Sequence, residues 1–344
     1  MMTQFWSALS GTDLLRQSEE EGIGGMEKVR IVAFRRRHCQ AVARLVKRVF
    51  PDDKYALYLT SGEIERRTFG SDQFEKDGGF VALAGGKLVG VAIGVTVNVE
   101  TNRKGYLSLL AVAPKMRNRG TGSALLKRVE TYFKKRCVSD IKTSYVGNPV
   151  SFLIGTDCSS PGYSFLANRG FGAYGEMLGG LYMIKRSRGR NLTGDVRQFI
   201  RQNREKGIEF GLCSELHRTS LLRFMQNHCP GWASRVSDAL CDCEPPYRVV
   251  VATKKAQVIG FAGPFSVGAF GRGIFTGISV NKRFRRRKIG MSLFALLCHE
   301  LEKSGASFIP LWTNFENPAQ EIYREAGFHA SYPFLFLTKH LQPA

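Results

Sequence analysis

Residues 117–122 read RNRGTG, and they separate the apolar run YLSLLAVAP (106–114) from the helical pattern SALLKRVETYFKK (123–135). The first turn of a helix has backbone N–H groups without partners, and the helix dipole adds partial positive charge there. Glycines let the backbone curl so that several N–H groups converge on one anion, and arginines add charge-assisted hydrogen bonds. The stretch therefore predicts a phosphate or pyrophosphate site, although a solvated basic turn would have a similar composition.

The same arrangement returns about 170 residues later. RRRKIG (285–290) lies between FTGISV (275–280) and MSLFALLCHELEK (291–303), and a second hairpin pattern precedes it. The apolar stripe of the first helix is repeated in the second at a constant offset of 168: Leu125, Leu126, Val129 and Phe133 correspond to Leu293, Phe294, Leu297 and Leu301. Each half also closes with a helical pattern followed by the dipeptide GF. The sequence thus predicts an internal duplication at the scale of a domain.

We divide the chain on this basis. Residues 1–25 are predicted to be a flexible N-terminal extension, because a new strand-like pattern, VRIVAF, begins just after GIGGM. The N-terminal domain is placed at 26–186 and the C-terminal domain at 197–344. The basic, glycine-containing segment KRSRGRNLTG (185–194) indicates a linker, which we assign to 187–196.

The chain is strongly basic. Its formal net charge is +21, and residues 1–25 contribute −3, so the remaining 319 residues carry +24. Such a field attracts anions and repels polycations. Solubility together with cofactor binding explains it, and so does a polyanionic partner such as tRNA. The basic clusters are short and lack the interleaved aromatic residues of a base-stacking surface, so the charge alone does not identify the partner.

Several classes of protein are disfavoured. The apolar runs are too short to span a bilayer, and the N-terminus does not resemble a secretory signal, so we expect no membrane association and a cytoplasmic location. The eight cysteines form no CxxC pair and the six histidines form no HxxxH pair, so no metal site is predicted. Cys158 lies beside Asp157, but no histidine lies at a motif-like spacing, and we interpret it as a passive thiol.

The order helix, hairpin, strand, R-x-x-G-x-G loop, helix and late GF segment resembles the GNAT superfamily of N-acetyltransferases. The second half, with NHCPGW, GPFSV and LWTNFENPAQEIYREAGF, is similar to tandem GNAT chains such as mycothiol synthase. This resemblance implies an α/β fold of two GNAT-like domains, each with a mixed central sheet flanked by helices. It also implies an acyl-CoA-dependent enzyme that moves an acetyl group from acetyl-CoA directly to a primary amine.

The resemblance assigns residues to the binding of acetyl-CoA. In this family the loop binds the pyrophosphate, and the preceding strand offers main-chain groups to the pantetheine arm. The residues implied in the first half are Leu110, Ala111, Val112, Arg117, Asn118, Arg119, Gly120, Thr121, Gly122 and Ser123. A possible second cofactor site would use Ile278, Val280, Arg285, Arg287, Lys288, Gly290, Ser292 and Asn317. We expect the cofactor in the first half, since Lys288 replaces the first glycine of the second loop.

The catalytic residues are less well specified. Acyl transfer needs a base for the amine, polarisation of the thioester oxygen and an acid for the thiolate. The family often has a tyrosine five residues before the GF phenylalanine, which is Tyr323 in the second half but Leu166 in the first. Tyr163 lies one helical turn from Leu166 and is the substitute candidate. Glu100, at the end of a hairpin strand, is the candidate base.

The sequence does not identify the amine that accepts the acetyl group. The positive field argues against polycationic amines and favours a neutral or acidic small molecule, a peptide, or an amine carried on an anionic molecule. One alternative is a tRNA-using acyltransferase of the same fold, with aminoacyl-tRNA as donor or tRNA as acceptor. Another is a non-catalytic protein that binds acyl-CoA or a polyanion.

Overall fold

The computed structural model describes residues 28–99, 102–143, 151–173, 178–187, 192, 194–242 and 246–341, so the predicted extension 1–25 lies outside it. The N-terminal half contains β1 (Arg30–Ala33), α1 (Cys39–Val49), α2 (Asp52–Tyr55), α3 (Ser61–Arg67), β2 (Gly79–Ala84), β3 (Lys87–Val99), β4 (Asn102–Val112), α4 (Thr121–Lys134), β5 (Asp140–Thr143), β6 (Thr156–Asp157), α5 (Pro161–Ala167), β7 (Gly172–Ala173) and β8 (Gly179–Arg186).

The C-terminal half follows a similar order after one additional helix, with two helices instead of three between its first two strands and no counterpart of β6. Its elements are α6 (Gly194–Glu205), β9 (Ile208–Cys213), α7 (Glu215–His228), α8 (Pro230–Cys241), β10 (Tyr247–Lys254), β11 (Gln257–Val267), β12 (Gly273–Val280), α9 (Ile289–Lys303), β13 (Phe308–Asn314), α10 (Gln320–Glu325), β14 (His329–Leu335) and β15 (Leu337–His340). The prediction of two α/β units with mixed sheets flanked by helices is confirmed.

The apolar stripes pack as their periodicity predicts. On α4, Leu125, Val129 and Phe133 have no exposed surface, and α4 lies against the β2–β3 hairpin. On α9, Leu293 and Leu297 are equally buried and face β11. Removing such side chains from water supplies most of the free energy that holds each helix on its sheet.

The two halves exchange their last strands. The N-terminal half has a seven-stranded sheet of order β1-β2-β3-β4-β5-β15-β7, in which β15 comes from the end of the chain. Conversely, β8 lies between β13 and β14 in a sheet of order β13-β8-β14-β6, next to the four-stranded sheet β12-β11-β10-β9. Each half is therefore completed by a strand of the other, across the boundary that the sequence places near residue 190.

Two glycines permit the passage of β8 between its neighbours. A Cβ on Gly179 would lie 2.0 Å from the carbonyl oxygen of Phe334, and a Cβ on Gly180 would lie 2.0 Å from that of Thr313. Both contacts are far inside van der Waals range, so only glycine fits. β8 ends at Arg186 and α6 begins at Gly194, so the predicted linker 187–196 overlaps the first turn of that helix.

An aromatic cluster fills the space where the halves meet. Tyr55 of α2 packs on Tyr332 of β14 with ring centroids 5.0 Å apart, and Tyr182 of β8 stacks on the same ring at 5.0 Å. The hydroxyl of Ser331 donates to the carbonyl of Lys54 at 2.5 Å. The junction is thus a buried core shared by both halves.

None of the helices in the described ranges is long and apolar enough to cross a membrane. In the same residues, His, Cys, Asp and Glu side chains form no group of three that could hold a metal ion.

Candidate active site

Strand β4 carries a β-bulge near its centre. Leu109 lies opposite Ile93 of β3, whereas Leu107 lies opposite Gly94, so Ser108 is an extra residue in β4. A bulge bends the strand and turns main-chain groups out of the regular ladder. In β4 the bulge comes directly after Leu107, the last residue that pairs with β5.

β4 and β5 enclose a cavity beyond their paired segment. The parallel pairing joins Gly105–Leu107 to Ile141–Thr143, and the following residues Ser108–Leu110 line the cavity. Its volume is about 90 Å³, and it opens to solvent on one side. Its other walls are mostly apolar and come from both halves: Phe50, Tyr55, Leu107, Thr143, Leu153, Gly155, Thr156, Asp157, Ser160, Gly162, Leu166 and Tyr332. The reactive end of an extended, largely apolar chain would fit this space, with the rest of the chain outside it.

The RNRGTG loop connects β4 to α4 as a tight turn. Arg117 donates from Nε to the carbonyl of Val112 at 3.3 Å, which fixes the loop to the end of the strand. Asn118 and Gly120 adopt positive φ values of 58° and 78°. The first i→i−4 bond of α4 runs from Ala124 to Gly120, so the N–H groups that precede Ala124 point out of the helix end.

This turn has the features of an anion cradle. The space around Gly120 is open, because a Cβ there would meet no atom within 4 Å. The hydroxyl of Thr121 is buried and has no hydrogen-bond partner among the described residues. Arg169 lies over the Phe165 ring at 3.7 Å and donates to Ser123 Oγ at 2.7 Å, which brings a further cation to the loop. These residues fit a diphosphate.

The second loop has nearly the same backbone. Arg285 donates from Nε to the carbonyl of Val280 at 3.1 Å, as Arg117 does to Val112. Arg286 and Lys288 adopt φ values of 61° and 57°, in the left-handed region that glycine favours. The lysine therefore does not abolish the turn; it adopts the strained conformation.

Helix α6 covers part of the second loop. Asn203 donates from Nδ2 to the carbonyl of Arg287 at 3.0 Å, and Lys288 Nζ lies 5.7 Å from the centre of the Phe199 ring. Lys288 also accepts bonds at its carbonyl from the backbone and the hydroxyl of Ser292, at 3.0 and 3.1 Å. Ser292 is fully buried, so its side chain caps the turn from inside.

The strand geometry differs in the C-terminal half. The register between β11 and β12 is constant from Gly260–Val280 to Val267–Gly273, so β12 has no counterpart of the bulge at Ser108. β12, which includes Ile278 and Val280, is joined to β13 in the described residues only by a bridge from Arg272 to Phe308. β12 and β13 therefore diverge, but β12 lacks the bulge that is present in β4.

The two predicted catalytic tyrosines lie on different helices, α5 and α10. Tyr163 is half-buried on α5 and packs on the N-terminal core, whereas Leu166 lines the cavity. Tyr323 is 9% exposed, its ring lies 5.0 Å from that of Phe294, and burial raises its pKa. Glu100 lies outside the described residues. All three assignments stay predictions.

Three other predicted residues lie against neighbouring groups. Asn317 accepts at Oδ1 from the backbone N–H of Ala319 at 2.9 Å, just before α10. A Cβ on Gly290 would lie 3.4 Å from Ile322, whereas one on Gly122 would lie 3.0 Å from the Phe165 ring.

An ionic cluster at the cavity wall was not foreseen from the sequence. Asp157 is 6% exposed, and its Oδ2 accepts from Lys54 Nζ at 2.6 Å and from the Tyr55 hydroxyl at 2.5 Å. Its Oδ1 accepts from the backbone and hydroxyl of Ser159 at 2.8 and 2.7 Å. Burial opposes ionisation, but these hydrogen bonds hold the pKa of Asp157 below its usual value. The carboxylate is thus a fully bonded, charged part of the wall.

The sequence gives little indication of this ionic cluster. Lys54 and Tyr55 are about a hundred residues from Asp157 in the sequence, and nothing local connects them. The neighbouring thiol of Cys158 is unreactive in character, because burial raises its pKa to about 11.

Comparison with known proteins agrees with this geometry. A sequence model of the Acetyltransferase (GNAT) family matches the chain twice, at residues 41–149 and 215–328. The two matches cover the duplicated halves, including both loops. No curated protein matches the sequence.

Solved structures share the fold over nearly the whole chain. A GCN5-related N-acetyltransferase from Sphaerobacter thermophilus aligns with a TM-score of 0.62 and 15% identity, over 92% of this chain and 96% of that one. A tandem GNAT protein from the clavulanic acid biosynthesis pathway aligns with a TM-score of 0.57 and 15% identity, over 92% and 100%.

A third structure contains the GCN5-related glucosamine N-acetyltransferase region of a fungal multi-domain GH3 β-N-acetylglucosaminidase. It aligns with a TM-score of 0.64 and 17% identity. The alignment covers 93% of this chain but only 39% of the fungal protein. At such identities these similarities establish the fold and not the substrate.

Proposed function

Because the chain belongs to the acetyltransferase (GNAT) family, we propose that it transfers an acetyl group from acetyl-CoA to a primary amine, with the donor bound in the N-terminal half. One observation carries this proposal. In that half the bulge at Ser108, the cavity and the loop at Gly120 follow one another along the chain. The C-terminal half has the loop backbone without the bulge.

The main chain performs most of the proposed binding. N–H groups at the start of α4, from Thr121 to Ser123, would hold the diphosphate, with Arg117, Arg119 and Asn118 around it. Main-chain groups of Leu110, Ala111 and Val112 would pair with the pantetheine arm. Apolar walls such as Leu109 and Leu166 exclude water from the reacting end, which strengthens electrostatic interactions there.

Bound acetyl-CoA would supply a thioester whose carbonyl carbon is open to attack by a neutral amine. A C–N bond forms, the C–S bond breaks, the amine loses a proton and the sulfur gains one. Main-chain N–H groups of Leu110 and Val112, on the strand beyond the bulge, would stabilise the developing oxyanion.

Proton transfer is assigned as part of this proposal. Tyr163 is the candidate acid of the N-terminal half, Tyr323 that of the C-terminal half, and Glu100 the candidate base. Burial raises the pKa of Tyr323, which keeps its hydroxyl protonated and able to donate. The cytoplasmic location belongs to the same proposal, since it follows from an acyl-CoA donor.

The acceptor is proposed to be a small-molecule or peptide amine. The fungal structure named above is described as a glucosamine N-acetyltransferase, so glucosamine belongs in the first panel of amines, with neutral and acidic amino compounds and a peptide N-terminus. At +21, the net charge makes polycationic amines poor candidates.

The test is release of free CoA thiol from acetyl-CoA with each amine, followed by mass spectrometry of the product. We expect turnover with at least one amine and a gain of one acetyl group on it. Binding of acetyl-CoA without turnover on any amine would favour the non-catalytic alternative. Failure of acetyl-CoA to bind at all would contradict the proposal.

A further inference from the structure

The C-terminal half has a concentrated basic surface that the proposed transfer does not use. We define the basic strip as the six cations of the run KRFRRRK (282–288) together with Arg223, Lys254 and Lys255. All six cations of the run are exposed, as are Arg223 and Lys255, and Lys254 is partly exposed.

The members of the strip form one continuous surface. Arg223, Lys254 and Lys255 line an open cleft between α7, the β10–β11 turn and the start of the 282–288 run. Phe284 connects this cleft to the loop, because its ring lies 5.9 Å from Lys254 Nζ and 5.6 Å from Arg287 Cζ. No Asp or Glu is among the residues that line the cleft.

The positive charge of the strip is not neutralised within the described part of the protein. None of its members has a carboxylate within ion-pair distance there. The nearby carboxylates Glu209 and Glu215 pair instead with Arg204 at 3.5 Å and Arg218 at 3.8 Å. Nine cations on one surface without counter-ions repel one another, so they favour a bound anion.

The duplication supplies an internal control. The corresponding stretch of the N-terminal half, PKMRNRG (114–120), has three cations where KRFRRRK has six, and the hairpin turn there has Ala84-Gly85 in place of Lys254-Lys255. Both loops nevertheless adopt the same backbone, with an arginine Nε bonded to the last strand carbonyl. The additional cations are therefore not required by the fold.

We propose that the basic strip binds the phosphodiester backbone of a nucleic acid. Five of its nine cations are arginines, whose planar fork matches phosphate oxygens. A row of this size suits a repeated anion better than a single phosphate. None of the large exposed apolar side chains lies in the strip, so it lacks what a membrane-surface site requires. This inference does not depend on the transferase activity.

The experiment measures fluorescence anisotropy of labelled single-stranded RNA and DNA oligonucleotides over a range of salt concentrations. The test variant is Lys255→Glu/Arg283→Glu. Its matched control is Arg44→Glu/Lys87→Glu, which changes the net charge equally at exposed positions of the N-terminal half. None of these four residues is in the proposed donor site. Arg223→Glu, a single change on an exposed helix face, repeats the test if the double variant folds poorly.

We expect the test variant to bind about 100-fold more weakly at low salt, and the slope of log K against log salt to fall by about 2, one unit for each lost phosphate contact. The control should change affinity only slightly. The two oligonucleotides then tell whether RNA or DNA is preferred. Equal losses in both variants, or displacement by polyglutamate or acetyl-CoA as readily as by unlabelled oligonucleotide, would overturn the proposal.

Discussion

The two halves share one architecture but have diverged at matching positions. Their anion loops have the same backbone, in which Arg117 and Arg285 bond to the carbonyls of Val112 and Val280. Around them the N-terminal half has a bulge in its strand and a glycine in the turn, whereas the C-terminal half has a regular strand and a lysine. The duplication has thus kept the backbone of the loop while changing the residues beside it.

The comparison also shows that the halves are not independent. β8 and β15 are exchanged, and the wall of the N-terminal cavity includes Tyr332 from the C-terminal half. A cavity built in this way makes the proposed donor site of one half depend on the folding of the other. The predictions below test the exchange first and then the individual differences.

Gly180→Ala should have the largest effect on stability. The new Cβ would lie 2.0 Å from the Thr313 carbonyl oxygen at the centre of the exchanged sheet. We expect a loss of about 3–5 kcal/mol in the free energy of unfolding, because backbone on both sides prevents relaxation. Urea denaturation monitored by circular dichroism measures it.

Gly211→Ala is the control for that change, because β9 is an edge strand and a Cβ there meets no atom within 4 Å. Its effect should stay within about 0.5 kcal/mol. Equal effects of the two substitutions would contradict the exchanged arrangement of β8.

Asp157→Asn should have the next largest effect, since it neutralises a buried carboxylate at the cavity wall. It removes the charge that Lys54 and Tyr55 bond at 2.6 and 2.5 Å. We expect the free energy of unfolding to fall by about 2–3 kcal/mol at neutral pH, because Lys54 loses the carboxylate that it bonds. The partial exposure of Lys54 to solvent keeps this loss below that of a fully buried ion pair. Thermal and urea unfolding at several pH values measure this.

The pKa shift of Asp157 determines how its contribution to stability changes with pH. The pKa of Asp157 is lower in the folded protein, so its contribution is present above the unfolded value of about 3.9 and is lost as pH falls through the folded value. The difference between wild type and Asp157→Asn should therefore shrink at acid pH. A difference that is constant from neutral to acid pH would contradict the ionised state.

Lys288→Gly should have the smallest effect, in the stabilising direction. Lys288 has a φ of 57°, and glycine adopts this conformation without strain. We expect a gain of about 1 kcal/mol. In the other half, Gly120→Ala, where φ is 78°, should cost about 1 kcal/mol for the same reason. Destabilisation by Lys288→Gly would show that the Phe199 contact outweighs the strain.

Much of this account could be predicted from the sequence, because it depends on local patterns. The stripe of Leu125, Val129 and Phe133 identified a buried helix face, and the repeat at a constant offset identified the duplication. RNRGTG predicted a strand-to-helix turn that could hold an anion. The stripe and the loop depend on residues close together in the chain, and the duplication repeats these local patterns 168 residues later.

The remaining features depend on distant contacts. The strand exchange is set by the neighbours with which β8 and β15 pair, and no local pattern in either strand specifies those neighbours. The glycines of β8 are informative only once Phe334 and Thr313 are known to lie beside them. The role of Asp157 depends on its bonds to Lys54 and Tyr55. No spacing rule in the sequence connects these residues to it.

The assignment of the donor site to the N-terminal half is tested most directly by calorimetric titration of acetyl-CoA into the wild type and the matched variants Arg117→Glu and Arg285→Glu. Each variant reverses one charge at the same position of one loop and breaks the same bond to the strand, so structural effects should be similar. We predict a single site whose affinity falls about 100-fold in Arg117→Glu, a loss of roughly 3 kcal/mol for a charge-assisted contact, and hardly changes in Arg285→Glu. The opposite ranking would contradict the account and place the donor in the C-terminal half.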